Sequence, residues 1–228
     1  MNIVIITGTN RGLGLALANY YIGIEDTLVI SVSRELANEH QKVSKSLLRF
    51  IPFDLAHGLN KKIVNLFDKE LKGLNPQNIL FFNNAAVVTP IGRIGTLEEN
   101  AIRQSLNINV VSQIELINLL ASRFKDIIIV NLTSGAANNP IDGWSIYSTG
   151  KAAMISFLKS FSKENNKIKV LNFDPGVMDT RMQAEIRESD FEEVKKFKDF
   201  STLNRLKKTE EVVISLIKKI SDEIGYPI

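Results

Sequence analysis

Tyr147 and Lys151 stand four positions apart, and Ser134 precedes them in the chain. Residues i and i+4 of an α-helix share one face, so this spacing predicts that the Lys151 ammonium lies beside the Tyr147 phenol. A neighbouring cation favours the phenolate and lowers the phenol pKa from its reference of about 10, which makes a tyrosine usable as an acid and base near neutral pH. For the pair alone, an amphipathic helix without chemistry is the alternative.

A glycine-rich turn is the second constellation. The stretch from Thr7 to Gly14 has the pattern G-x-x-x-G-x-G between a predicted strand and a predicted helix. Small residues let the backbone approach a pyrophosphate, and the helix N-terminus stabilises its negative charge. Tight packing of the turn is the alternative interpretation. The candidate cofactor contacts in this turn are Gly8, Asn10, Arg11, Gly12, Leu13 and Gly14.

The end of the second predicted strand bears on which cofactor fits. In dinucleotide folds an acidic residue there binds the ribose 2′-hydroxyl of NAD, whereas this chain has Arg34 just beyond Ser33. Arginine suits a 2′-phosphate, and Arg11 adds a second positive charge. The alternative is that Arg34 and Arg11 are solvated surface groups without a role in binding. Asp54, after the third strand, either meets the adenine edge or starts the following helix.

Three asparagines complete the set of candidates. Asn83 and Asn84 follow an apolar strand, where their amides can tie neighbouring strands or a helix together. Asn109 lies within a long apolar helical pattern, and a buried amide needs hydrogen-bond partners. This amide is either satisfied locally, or it marks a backbone irregularity that holds a water.

Composition argues against several other classes of protein. The net charge of +3 and the pI near 9.0 come from dispersed lysines, which disfavours nucleic acid as a partner. With no cysteine and with His40 and His57 isolated, the sequence predicts no disulfide, no metal site and no cysteine nucleophile. No apolar run approaches the roughly 20 residues of a membrane span, so we expect a cytoplasmic protein without a membrane partner.

Short β-rich apolar runs alternate with helical patterns, which is typical of parallel βαβ units. We predict one domain over 1–228, with an α/β, Rossmann-type doubly wound parallel sheet of six or seven strands and helices on both faces. The predicted strands are 3–7, 27–32, 48–53, 78–82, 126–131 and 169–173. The predicted helices are 12–21, 35–45, 61–71, 98–122, 145–163 and 210–221. We expect a mobile helical flap over 178–206.

These motifs occur in the order and spacing of the short-chain dehydrogenase/reductase family, which the sequence resembles over nearly its whole length. The residues that carry the resemblance are the glycine turn, Asn83-Asn84-Ala85, Asn109, Ser134, Tyr147, Lys151 and Pro175-Gly176. Gly143-Trp144 and the stretch 175–183 resemble the branch of sepiapterin reductase and bacterial benzil reductase. The resemblance implies NADP(H) as the cofactor and a catalytic tetrad of Ser134, Tyr147, Lys151 and Asn109.

The resemblance also implies further contacts and an assembly. The expected cofactor contacts outside the glycine turn are Arg34, Asp54, Asn84, Ala85, Lys151, Pro175, Gly176 and Val177. The expected assembly is a homodimer, with a tetramer as the larger alternative, built on the helices that contain Asn109 and Tyr147.

Two features depart from the family pattern. Ala86 replaces the usual final glycine of the asparagine motif, which a small side chain should tolerate. The sequence ends at Ile228, where the family usually continues into a seventh strand and a tail. In sepiapterin reductase that tail supplies an aspartate that anchors the pterin, so we expect a weaker fit to a pterin here.

The expected activity is NADPH-dependent reduction of a small ketone or dicarbonyl, with Tyr147 as proton donor and Asn109 positioning a water. Sepiapterin reduction is the alternative within the branch, and a non-catalytic dinucleotide sensor or scaffold is the alternative from another class. The candidate substrate contacts are Trp144, Met178 and Met182, which with Val88 and Ile141 either line an apolar pocket or pack the flap.

Overall fold

Six parallel strands form one sheet at the centre of the protein. The computed structural model describes residues 1–139, 141–192, 194–202 and 206–226. The strands are β1 (Asn2–Thr7), β2 (Thr27–Ser33), β3 (Leu48–Pro52), β4 (Asn78–Asn83), β5 (Ile127–Leu132) and β6 (Ile168–Phe173). Their spatial order is β3-β2-β1-β4-β5-β6, and each neighbouring pair is parallel. The order reverses between β1 and β4, which confirms the predicted doubly wound sheet.

Helices cover both faces of this sheet. They are α1 (Gly12–Ile22), α2 (Lys61–Leu71), α3 (Glu99–Leu106), α4 (Ser112–Ala121), α5 (Ser145–Glu164), α6 (Arg181–Glu188), α7 (Val194–Thr202) and α8 (Thr209–Ile224). One core joins the sheet to α2, α4 and α5, through residues such as Phe67, Leu116 and Leu158. A second core joins the other face to α1 and α8, through residues such as Leu17 and Leu216.

Strand β1 shows why the apolar runs are continuous. Ile3 and Ile5 enter the first core, Val4 and Ile6 enter the second, and all four are fully buried. Successive side chains of a strand point to opposite faces, so a strand that is covered on both sides needs apolar residues at every position.

The predicted helix over 35–45 is wrong. After the extended residue Ala37, this segment forms only a 3-10 turn at Asn38–His40. The few apolar residues of this segment do not make a continuous helix face. A tertiary contact holds the segment instead, with His40 Nε2 at 2.7 Å from Asn19 Oδ1.

The predicted helix over 98–122 is interrupted. Helix α3 ends at Leu106, the residues Asn107–Val111 form a π-helical turn, and α4 follows. The backbone irregularity expected at Asn109 is therefore confirmed.

The segment predicted as a flap contains α6 and α7. The two ends of this segment meet at a parallel β-bridge between Met178 and Lys207. There the Asp179 amide donates to the Lys207 carbonyl, and the Lys207 amide donates to the Val177 carbonyl, each at 3.0 Å. Residues 193 and 203–205 of the predicted flap lie outside the described residues. Within the described ranges, no helix combines the length and apolar character needed to cross a membrane.

Candidate active site

A cleft of about 610 Å³ opens at the carboxyl ends of the strands, beside the point where the strand order reverses. Ligands of doubly wound sheets bind at this position. The predicted site residues that line the cleft are Gly8, Asn10, Arg11, Gly12, Leu13, Arg34, Asp54, Asn84, Ala85, Tyr147, Lys151, Pro175, Met178 and Met182. The predicted site residues outside this lining are Gly14, Asn109, Ser134, Trp144, Gly176 and Val177.

The glycine turn fits a cofactor whose phosphates approach the backbone closely. Gly8 and Gly12 have φ angles of 74° and 57°, a conformation that residues with a Cβ rarely adopt. At Gly14 a Cβ would collide with the Gly8 carbonyl and the Asn84 side chain, so this glycine permits tight packing instead of touching the cleft. Asn84 Nδ2 donates to the Thr7 carbonyl at 2.8 Å and ties the turn to β4. The turn therefore presents a backbone surface that suits a pyrophosphate.

Amides also join the strand ends that carry the other site residues. Asn83 Nδ2 donates to Asn131 Oδ1 at 2.9 Å, and Asn131 Nδ2 donates to Asn172 Oδ1 at 2.8 Å. These bonds connect the carboxyl ends of β4, β5 and β6, which agrees with the structural role expected for Asn83.

Tyr147 and Lys151 lie one turn apart on α5, beside the end of β5. The Lys151 Nζ atom is 5.7 Å from the centroid of the Tyr147 ring and donates to the Leu132 carbonyl at 2.7 Å. Ser134 follows the same strand, and its hydroxyl lies close enough to the Tyr147 phenol to lower the phenol pKa. The fold thus brings together the serine, tyrosine and lysine that the sequence singled out.

Burial decides the ionisation of the tyrosine and the lysine. Burial raises the pKa of Tyr147 to about 12, the Ser134 hydroxyl opposes this shift, and the charge of Asp174 adds to it. Burial also lowers the pKa of Lys151 to about 8, against the opposing effect of Asp174. The predicted lowering of the Tyr147 pKa is therefore wrong for the chain alone, because the loss of hydration on burial is the largest effect on this phenol. Tyr147 is a neutral phenol at neutral pH.

Asn109 is buried in the π-helical turn and contacts the backbone that follows β4. Its Oδ1 accepts from the Val87 amide at 2.9 Å, and its Nδ2 donates to the Val87 carbonyl at 2.8 Å. Val87 in turn lines the cleft. The amide oxygen and the amide nitrogen of Asn109 therefore both hold Val87, which forms part of one wall of the cleft. The water expected at Asn109 stays a prediction.

Basic side chains border the cleft at the end of β2. The lining there consists of Val32, Ser33 and Arg34, without an acidic side chain, and Arg11 of the glycine turn lines the same cleft. Asp54 also lines the cleft, and its Oδ1 accepts from the Ala56 amide at 3.0 Å. Asp54 thus caps the turn after β3, as one of its two interpretations predicted.

Two residues that were not predicted brace the Pro175-Gly176 turn. Asp174 Oδ1 accepts from the Gly176 amide at 2.9 Å, and Lys207 Nζ donates to the Pro175 carbonyl at 3.3 Å. Asp174 directly precedes the Pro-Gly pair, which is a sequence signal that could have identified it. Lys207 returns from the far end of the flap, so no local pattern points to it.

Four buried aromatic residues form what we call the aromatic cluster, namely Trp144, Tyr147, Phe191 and Phe197. Trp144 meets the Tyr147 ring edge-on at 5.5 Å and stacks on Phe197 at 5.0 Å. Phe191 is tilted against Trp144 at 6.0 Å and against Phe197 at 5.8 Å. Phe191 and Phe197 come from the flap, and the sequence did not identify either of them.

The remaining predicted substrate contacts divide between the cleft and the cluster. Met178 and Met182 line the cleft. Val88 is buried with the aromatic cluster, and Ile141 packs against it, so these residues pack beneath the flap.

A doubly wound sheet with a glycine turn and a serine, tyrosine and lysine at its carboxyl edge defines an oxidoreductase of the dinucleotide-binding class. The sequence pattern of the family described as short chain dehydrogenase matches residues 2–190, and the chain belongs to this family. Its cofactor is accordingly a nicotinamide dinucleotide.

Known relatives place the chain within the family. Benzil reductase ((S)-benzoin forming) of Bacillus subtilis is 31% identical, over 96% of this chain and 94% of its own length. Sepiapterin reductase of Bos taurus is 27% identical, over 82% of this chain and 76% of its own. The crystal structure of the KRED1-Pglu enzyme has 25% identity and a TM-score of 0.87, covering 100% of this chain and 97% of that chain. These similarities confirm the predicted family and branch.

Proposed function

We propose that the chain is an NADPH-dependent carbonyl reductase for small ketones or dicarbonyls, with Tyr147 as the proton donor. The observation that carries this proposal is the neutral, buried Tyr147 phenol on the wall of the cleft, close to Ser134 and one turn from Lys151. A phenol with a raised pKa holds its proton until a stronger base forms beside it, and a carbonyl oxygen becomes such a base as it is reduced.

When bound, the nicotinamide cofactor supplies the hydride that adds to the carbonyl carbon. Tyr147 gives its proton to the carbonyl oxygen, so that the product is an alcohol and a tyrosinate remains. Ser134 hydrogen-bonds the same oxygen and orients it toward the phenol. The Lys151 ammonium stabilises the tyrosinate that is left behind, which lowers the cost of proton transfer. Asn109 acts through Val87, as a positioning residue for the wall of the cleft.

The preference for NADPH is supported by charge at the end of β2. Arg34 and Arg11 border the cleft there, and the lining at that strand end has no carboxylate to bind a ribose 2′-hydroxyl. Arginine forms strong charge-assisted hydrogen bonds with a phosphate. The glycine turn would hold the pyrophosphate of the same cofactor.

Aryl-flanked or vicinal dicarbonyls are the favoured substrates. The relative from Bacillus subtilis is named for benzil, and the side chains beside Tyr147 are apolar and aromatic. A pterin carries several hydrogen-bonding edges, and burying one without a partner costs roughly 1 to 3 kcal/mol. Sepiapterin is the second candidate, because the bovine relative is named for it. A sensor or scaffold without turnover is disfavoured, because Tyr147 and Lys151 line the cleft and Ser134 lies beside Tyr147.

The test measures consumption of NADPH with benzil, 1-phenyl-1,2-propanedione and sepiapterin under the same conditions. We expect the highest kcat/KM for one of the two diketones and loss of turnover in Tyr147→Phe. A higher kcat/KM for sepiapterin would replace the dicarbonyl with the pterin. Binding of NADPH without turnover of any of the three compounds would support the sensor.

We also propose a homodimer, on the basis of the family resemblance. Val111, between α3 and α4, is 43% exposed, which fits a face that a second copy covers. Light scattering after size-exclusion chromatography would distinguish a monomer, a dimer and a tetramer. The cytoplasmic location stays a prediction.

A further inference from the structure

The Trp144 indole is enclosed by the catalytic residue and by the flap. It meets the Tyr147 ring nearly at a right angle, with 87° between the ring planes, and it stacks on the Phe197 ring with 25° between the planes. Trp144 is 4% exposed and Phe197 is 6% exposed, so the stacked pair is closed to solvent. Stacked aromatic pairs gain attraction beyond the area that they bury. Phe197 therefore holds a favourable position next to the residue that delivers the proton.

The indole N–H of Trp144 adds a second observation. Its Nε1 atom is buried and has no hydrogen-bond acceptor among the residues that the structure describes. Buried indole N–H groups usually have a hydrogen-bond acceptor. A buried donor without one has lost its hydrogen bond to water and has gained none in the protein. A polar atom of a ligand beside Trp144 would supply the missing acceptor.

Phe197 reaches Trp144 from an element outside the sheet. It lies on α7, and its carbonyl accepts from Nε2 of the buried residue Gln183 on α6 at 3.3 Å. Both helices belong to the excursion between Met178 and Lys207. A shift of this excursion would therefore withdraw Phe197 without moving the strands that carry the rest of the site.

We propose that Phe197 occupies the position of a substrate aryl group, and that a substrate ring displaces it and stacks on Trp144. This inference rests on the proposed reduction of a carbonyl at Tyr147, and it specifies the group that flanks that carbonyl. The ring centroids of Tyr147 and Trp144 are 5.5 Å apart, so one small molecule spans both, with its carbonyl at the phenol and its ring on the indole. Phe197 then lowers the preference for aryl substrates, because the ring of each such substrate must displace the Phe197 ring from Trp144.

Phe197→Leu tests the competition, because it keeps an apolar side chain on α7 and removes the ring. The measured quantity is the ratio of kcat/KM for 1-phenyl-1,2-propanedione to that for 2,3-butanedione, with NADPH. We expect the ratio to rise about two- to tenfold, which is the value of one stacking contact. Phe191→Leu is the matched control, because Phe191 also touches Trp144 but is not stacked on it. An unchanged or lower ratio in Phe197→Leu, or an equal rise in Phe191→Leu, would overturn the inference.

A second readout does not depend on turnover. Trp144 is the single tryptophan of the sequence, so the tryptophan fluorescence of the full chain without cofactor reports on this site. We expect benzyl alcohol to bind Phe197→Leu about two- to tenfold more tightly than the wild type, and cyclohexylmethanol to show no such gain. Equal gains for both alcohols, or none for benzyl alcohol, would count against stacking.

The two readouts separate the inference from the proposed function. If neither dicarbonyl is reduced by the wild type but benzyl alcohol shows the expected gain, the aryl site stands and the proposed reaction fails. If both dicarbonyls are reduced but neither readout responds to the loss of the Phe197 ring, the reaction stands and the inference fails. Thermal melts of the two variants confirm that each is folded.

Discussion

The Nζ atom of Lys151 lies 5.7 Å from the centroid of the Tyr147 ring, and the same ammonium donates to the Leu132 carbonyl at the end of β5. This contact connects helix α5 to the sheet and places a cation beside the phenol in a buried site. Burial disfavours the charged form of each group, so the pKa of the tyrosine rises and that of the lysine falls.

Tyr147→Phe should lower kcat by about 10² to 10⁴, because it removes the proton donor and little else. The affinity for NADPH, measured by fluorescence titration, should stay close to that of the wild type. Tyr20→Phe is the control and should retain full activity, because Tyr20 is near the C-terminal end of α1 and outside the cleft lining. Turnover of Tyr147→Phe at the wild-type rate would show that another group donates the proton.

Arg34→Ala should weaken NADPH much more than NADH. A charge-assisted hydrogen bond contributes about 1.5 to 3 kcal/mol, so we expect the Kd for NADPH to rise about 10- to 150-fold. Lys42→Ala removes a positive charge from the same segment outside the cleft lining and serves as the control. Equal affinities of the wild type for NADPH and NADH would contradict the assignment of Arg34 to the 2′-phosphate.

Lys151→Met should stabilise the fold at neutral pH, by about 1 to 3 kcal/mol in the free energy of unfolding. The pKa of Lys151 is about 8 in the folded chain and its ordinary value is 10.5, so the charged form is disfavoured on folding. Between about pH 8 and 10.5, Lys151 is deprotonated in the folded chain but still protonated in the unfolded chain. The wild type therefore gains stability as the pH rises through this interval.

The advantage of Lys151→Met should therefore shrink over that interval. Urea unfolding of both proteins at about pH 7 and about pH 9.5 measures the difference between their free energies of unfolding. Groups that titrate alike in both proteins do not contribute to this difference. A constant difference at the two pH values would mean that the Lys151 pKa is not lowered.

Asn109→Ala should cost about 1 to 3 kcal/mol of stability, because it leaves the Val87 amide and carbonyl without their partner. Asn107→Ala is the control in the same π-helical turn, since Asn107 makes a single bond of 3.2 Å to the Ala56 carbonyl. We expect a smaller loss for the control in urea unfolding. Equal losses would indicate that the Val87 contacts add nothing beyond an ordinary hydrogen bond.

The strands and the reactive pair were predictable because their signals are local. Continuous apolar runs such as the one from Ile3 to Ile6 indicate a strand covered on both faces. The spacing of Tyr147 and Lys151 follows directly from helix geometry. The irregularity at Asn109 was also predictable, because an amide in an apolar helical stretch needs a partner outside the regular helix.

What was missed depends on contacts between distant parts of the chain. The segment from 35 to 45 has no strong pattern of its own, and the contact between His40 and Asn19 decides its shape. The direction of the Tyr147 pKa shift follows from its burial, which spacing along a helix does not reveal. Phe197 reaches Trp144 from a flap whose sequence is charged and weakly periodic, so its place in the site appears only after folding.

The bridge between Met178 and Lys207 has an evolutionary consequence. The chain leaves the sheet after β6 and returns to the same point, so the register of the strands does not restrict the length or sequence of what lies between. The proposed cofactor contacts of the glycine turn lie between β1 and α1, while Phe197 belongs to the excursion. If Phe197 acts as proposed, replacement of this one segment would change the choice of substrate and leave the glycine turn and the strand ends in place.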